Sequence, residues 1–164
     1  MSTGQLLPPA DTQSRDAPAA AEPARISFRQ PVSTSGFIDA AWWPRSLDLT
    51  SELPPLFEVL WTAAREISRI TYNTGAWDPA PRRMRIEGRT VRLGGFATSD
   101  PLTVRLSDAW GAERVDVVVI APPTDAALAR RVLLLASQAN SLYRAEEILT
   151  RAGVAAENGL RRQA

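Results

Sequence analysis

The chain has 164 residues, 45% of them hydrophobic and 23% charged, with a formal net charge of +1. This suits one globular domain with short tails, and it supplies no global field for gripping nucleic acid or an anionic membrane. There is no Cys, His or Lys, all 19 basic residues being Arg, which excludes disulfides, thiolate chemistry, the usual neutral-pH base, Schiff bases and a P-loop lysine.

Residues 1–24 carry Pro8, Pro9, Pro18 and Pro23 among small polar residues, and are expected to form a disordered tail. No uncharged apolar run approaches a bilayer span, so a cytoplasmic protein without membrane attachment is expected. Arg25 to Gln30 alternates as a short strand, with Ile26 and Phe28 on one face.

The decapeptide from Asp39 to Asp48 then joins two adjacent indoles, Trp42 and Trp43, to Pro44, Arg45 and two carboxylates. Pro44 biases Trp43 toward extended backbone, in which neighbouring side chains point to opposite faces, so one indole is expected in the core and the other elsewhere. Asp39 is expected to pair with Arg45, and Asp48 to hydrogen-bond near the start of the next helix.

That helix is predicted from about Leu53 to Arg69 on the spacing of Leu56, Leu60, Ala63, Ala64 and Ile67, with Ser51 as cap and Pro54 and Pro55 in the first turn. Ile70 to Tyr72 reads as a strand and Trp77-Asp78-Pro79 as a loop. Arg82 to Leu93 reads as a hairpin around Gly88. Leu102, Val104 and Leu106 alternate again, and Val115 to Ile120 is apolar enough for a central strand. Beyond Pro122-Pro123, Thr124 is expected to cap one long helix that Gly153 stops. The expectation is an α+β single domain over 25–151, a mainly antiparallel sheet of about five strands packed on two helices, with 152–164 a flexible tail.

Four sets of residues can carry chemistry. Period-2 counting puts Arg83, Arg85, Thr90, Arg92, Thr103 and Arg105 on the sheet face opposite the core, a phosphate-gripping platform unless Glu87 and Asp116 neutralise it. Asp39, Asp48, Glu52, Asp78 and Asp100 have the chemistry for acid/base work or Mg²⁺, yet no pair stands out by spacing, and turn or ion-pair roles explain them. Gly94-Gly95-Phe96 after a strand suits a bulge or an anion nest. Trp42, Trp43 and Arg45 are residue types enriched at binding hot spots, and are equally suited to plugging a junction between sheet and helix.

These motifs carry a resemblance. Asp39-Ala40-Ala41-Trp42-Trp43-Pro44-Arg45-Ser46 with Asp48-Leu49, Glu52-Leu53-Pro54, Pro81-Arg82-Arg83, Gly88 to Phe96, Asp100-Pro101 and Pro122-Pro123 are similar to an actinobacterial family known only as a domain of unknown function. The resemblance covers roughly residues 25 to 140, and implies a shared fold with no activity, cofactor or functional residue attached to it.

The leading functional expectation is a non-catalytic binding or regulatory module for a protein or a small anionic ligand, with Asp39, Trp42, Trp43, Arg45, Asp48, Arg92, Gly94, Gly95 and Phe96 around the site. The first alternative is an RNA or nucleotide binder on the face of Arg83, Arg85, Arg92 and Arg105. The second is a carboxylate-based or Mg-dependent enzyme. No catalytic residue, metal ligand or cofactor is assigned.

Overall fold

A computed structural model describes residues 22–29, 38–138 and 143–154. The alternating segments become strands and the periodic ones helices: β1 (Ile26–Phe28), β2 (Ala40–Trp42), α1 (Leu49–Thr62), β3 (Arg69–Asn73), β4 (Arg83–Ile86), β5 (Arg89–Phe96), β6 (Thr103–Ser107), β7 (Arg114–Val119), α2 (Ala126–Ser137) and α3 (Ala145–Ala152). The strands make one seven-stranded sheet in the order β1-β2-β7-β6-β3-β5-β4. β2 pairs with β7 and β3 with β5 in parallel, while the other neighbours are antiparallel. The α+β class is as expected, but the sheet is larger than about five strands and is mixed. The extra strand, β2, lies inside the decapeptide and is buried on both faces, so it shows no alternation to read.

The helices also differ from expectation. α1 begins four residues before Leu53, because Asp48, not Ser51, caps it by accepting the Thr50 N–H. Pro54 and Pro55 therefore lie in the second turn, and the carbonyls of Thr50 and Ser51 that lose their helical donors belong to exposed residues. α1 ends at Thr62, well short of Arg69. Ala63 closes it, Ala64 turns the chain at φ +58°, and Arg69 opens β3 instead. The single long helix expected after Thr124 is two helices, the first capped by Asp125, whose carboxylate accepts the N–H groups of Ala127 and Leu128. Gly153 stops the last helix as anticipated, at φ +88°. Ala139 and Leu142 of the predicted stripe, residues 1–21 and residues 155–164 lie outside the described residues.

Two apolar layers sandwich part of the sheet. On one face α1 presents Leu53, Leu56, Phe57 and Leu60 to Ile70, Val91, Leu106, Val115 and Val117. On the other, α2 and α3 lay Ala129, Val132, Ile148 and Leu149 over Ala41, Val118 and Ile120, which belong to β2 and β7 and the residue just after β7. The second face is therefore covered at its β1-β2-β7 end. Over β6, β3, β5 and β4 no described element covers it, and apart from Gly94 and Phe96 the residues there are polar, with Arg69, Arg83, Arg92 and Arg105 exposed. Glu87 and Gly88, at φ +48° and +77°, close the β4–β5 hairpin as a two-residue turn whose twist matches its strands. Among the described residues no helix is long and apolar enough to cross a membrane.

Candidate functional site

The decapeptide is engaged almost entirely within the chain. β2 sends Trp42 into the α1 layer, where it is 1% exposed and stacks on Trp77 with ring centroids 5.4 Å apart. Trp43 points to the opposite layer, and its indole N–H donates to the Pro122 carbonyl at 3.3 Å. Arg25 lies 3.6 Å over the Trp43 ring and donates Nε–H to the Trp43 carbonyl at 2.9 Å. Burial, and then repulsion by Arg45, lower the pKa of Arg25 below the usual arginine value. The two indoles thus face opposite ways, as Pro44 implied.

The expected Asp39–Arg45 pair is replaced by another. Asp39 is held by Arg29 at 3.2 Å with both side chains buried, and it also accepts the Asp116 N–H at 3.1 Å. Arg45 reaches Glu22 at 2.8 Å and the Pro23 carbonyl at 3.1 Å. The reason lies in β1, which runs antiparallel to β2 and carries Arg29 past the start of that strand. Asp48 accepts from the hydroxyls of Thr50 at 2.6 Å and Ser51 at 2.8 Å, and these bonds hold its carboxyl below the usual carboxylate range. Glu52 accepts the Arg45 N–H and the Ser46 hydroxyl. The remaining acidic candidates lie apart, Asp100 accepting the Leu102 N–H in a turn. Among the described residues no group of three or more acidic side chains is placed to hold a metal ion.

Matters differ on the open sheet face. β-register puts Arg83 opposite Arg92 and Arg92 opposite Arg69, so three guanidiniums fall in one row across adjacent strands. The next row along brings together Gly94, Thr71, Arg105 and Asp116. Arg85, two residues beyond Arg83, shares the face and donates to the Gly88 carbonyl at 2.9 Å. The neutralisation anticipated from Glu87 and Asp116 is partial: Asp116 holds Arg105 at 2.8 Å and lies 3.7 Å from Arg114, while Glu87 sits in the hairpin turn. Among the described residues, the side chains of Arg69, Arg82, Arg83 and Arg92 make no ion pair or hydrogen bond.

These four arginines line an open groove of about 510 Å³ together with Thr71, Gly94, Gly95 and Phe96. Gly94 and Gly95 are neither a bulge nor a nest. β5 runs through both, and neither has positive φ. Gly95 is bare because a Cβ there would fall 2.9 Å from the Tyr72 ring and 2.7 Å from the Thr74 methyl. A Cβ on Gly94 would lie 3.3 Å from the Phe96 ring, which leans over that residue on the open face. A second cleft, of about 390 Å³, lies beside Trp61, Arg89 and the 92% exposed Trp110. There Arg89 already sits 4.4 Å over the Trp61 ring.

The structure thus gathers Arg92, Gly94, Gly95 and Phe96 in one groove and leaves Asp39, Trp42, Trp43, Arg45 and Asp48 out of it. Arg69 and Arg82 are groove residues that sequence reasoning missed. Arg69 was absorbed into the predicted helix, although the alternation of Arg69 and Thr71 with Ile70 and Tyr72 is a strand signal.

A family model described as a family of unknown function (DUF5994) matches residues 25–136. No curated protein and no solved structure matches the chain.

Proposed function

The chain belongs to that family of unknown function, and from this premise we propose that it is a non-catalytic binding module that takes an anionic ligand in the groove on its open sheet face. One observation carries the reading: Arg83, Arg92 and Arg69 stand opposite one another in register with no carboxylate partner among the described residues. Neighbouring strands are about 4.8 Å apart, and like charges so placed repel, which costs roughly 0.2–1 kcal/mol for each pair. An anion shared between the guanidiniums removes that cost and gains charge-assisted hydrogen bonds. Arg105 and Arg114 show the other way to settle such a face, since Asp116 pairs with them. Phosphorylated ligands are abundant anions of this kind.

The test uses inorganic polyphosphate as probe and the replacements Arg69→Thr and Arg92→Thr, which keep strand propensity. At low ionic strength each replacement weakens binding by about tenfold. In the absence of anion each raises the melting temperature, because a repulsion has been removed. Unchanged affinity in both variants, or a wild-type protein that binds no polyanion at low salt, overturns the reading.

A further inference from the structure

We infer that the anion is the backbone of a single-stranded nucleic acid and that Phe96 is the surface on which one of its bases stacks. This inference rests on the groove being an anion site. Phe96 is the element of the groove that phosphate binding leaves unexplained: a large apolar side chain, 55% exposed, at the end of a strand whose neighbouring Val91 and Leu93 are buried. Residues two apart on a strand share a face, so Arg92, Gly94 and Phe96 line one side of β5. The Phe96 ring leans over Gly94, where any side chain would crowd it, and so a flat aromatic surface lies beside bare backbone. Along β5 the ring is four residues from Arg92, about 13 Å at the usual rise. The arginine row runs across the strands instead. A strand of nucleic acid following the row places phosphates on Arg83, Arg92 and Arg69 and turns a base along β5 toward Phe96.

The shape of the site selects against other phosphorylated ligands. The groove is open, whereas a free mononucleotide is normally buried in an enclosing pocket. A sheet face presents no helix or narrow ribbon to enter the groove of a duplex. Unstacked bases on a basic sheet with an aromatic ring are the arrangement by which single strands are held without a pocket. A guanidinium plane can stack on a base as well as pair with a phosphate.

Fluorescence anisotropy with labelled 12-mer oligo-uridine, oligo-deoxythymidine and a DNA duplex, with inorganic polyphosphate as competitor, tests this. Phe96→Ala is expected to weaken oligonucleotide binding relative to polyphosphate binding by about 5- to 140-fold, the span of one stacked base. Phe96→Trp retains the oligonucleotide. The affinity should fall with salt at a log–log slope of about −2, for roughly three phosphates neutralised on a single strand. Tighter binding of oligo-uridine than of oligo-deoxythymidine identifies RNA as the source, and the reverse identifies DNA. If polyphosphate binds, Phe96→Ala changes nothing and the oligonucleotides bind no better than the duplex, the nucleic-acid inference falls while the anion site stands. If no probe binds, both fall. Phe96 is exposed, so unchanged melting of Phe96→Ala separates loss of binding from loss of fold.

Discussion

Between Asp39 and Asp48 almost every charge and both indoles find a counterpart inside the chain: Asp39 on Arg29, Trp42 on Trp77, Trp43 under Arg25, Arg45 on Glu22 and Asp48 on the first turn of α1. Across β4, β5 and β3, by contrast, Arg83, Arg92 and Arg69 face one another with no such counterpart among the described residues. The decapeptide is much the denser in chemistry, yet it is a junction. The arginines are scattered through the sequence and become a cluster only when the strands pair. Chemical density in a short segment here marks a place where elements meet, whereas a row of like charges with no carboxylate among the described residues carries a repulsion that a bound anion would offset.

Substitutions can break this contrast, since those in the junction should lose stability and those in the row should not. The largest loss is expected for Trp42→Ala, about 3–5 kcal/mol in urea unfolding, because a buried indole and its stack on Trp77 are both removed. A loss under roughly 1 kcal/mol would mean that Trp42 is not the plug of the junction. Asp39→Ala comes next at about 3 kcal/mol, since it leaves the buried Arg29 without its carboxylate. Pairing it with Arg29→Met should recover much of that loss, and failure of the double variant to recover would show that the ion pair is not the cause. The smallest effect belongs to Asp48→Ala, about 1 kcal/mol for a lost helix cap.

The Asp48 effect also carries a pH signature. The folded carboxyl titrates below the ordinary aspartate value because the Thr50 and Ser51 hydroxyls bond its ionised form. Its contribution is therefore complete above the unfolded pKa and is lost as pH falls through the lower folded value. The stability gap between wild type and Asp48→Ala should be flat at neutral pH and close in acid. A gap that persists in strong acid would assign the effect to something other than the charged cap.

Much of the fold was legible because strands and helices leave different periods in the sequence. The alternation of Val91 with Leu93 and of Val104 with Leu106 places β5 and β6, and Gly88 places the hairpin between β4 and β5. The opposite directions of Trp42 and Trp43 followed from Pro44. β2 was missed because burial on both faces erases alternation. α1 was drawn too long because Ile67 happens to continue its apolar spacing after the chain has already turned at Ala64. That overrun hid Arg69: a strand over Ile70 to Tyr72 was expected, but its first residue, which completes the arginine row across β3, β5 and β4, was read as the helix end.

The sequence by itself determined the α+β class, the opposed indoles of the junction, the outward side of the strands that carry Arg83, Arg85, Arg92 and Arg105 and the chemistry that a chain without Cys, His or Lys must forgo. These follow from local rules, in which backbone geometry links each residue to its near neighbours. Only the tertiary structure decided that Arg29 rather than Arg45 holds Asp39, that β3 lies beside β5 in parallel, and that α2 and α3 stop short of the β6-β3-β5-β4 face. Those outcomes depend on which strand pairs with which, a choice made by burying two apolar layers at once, and no local period records it.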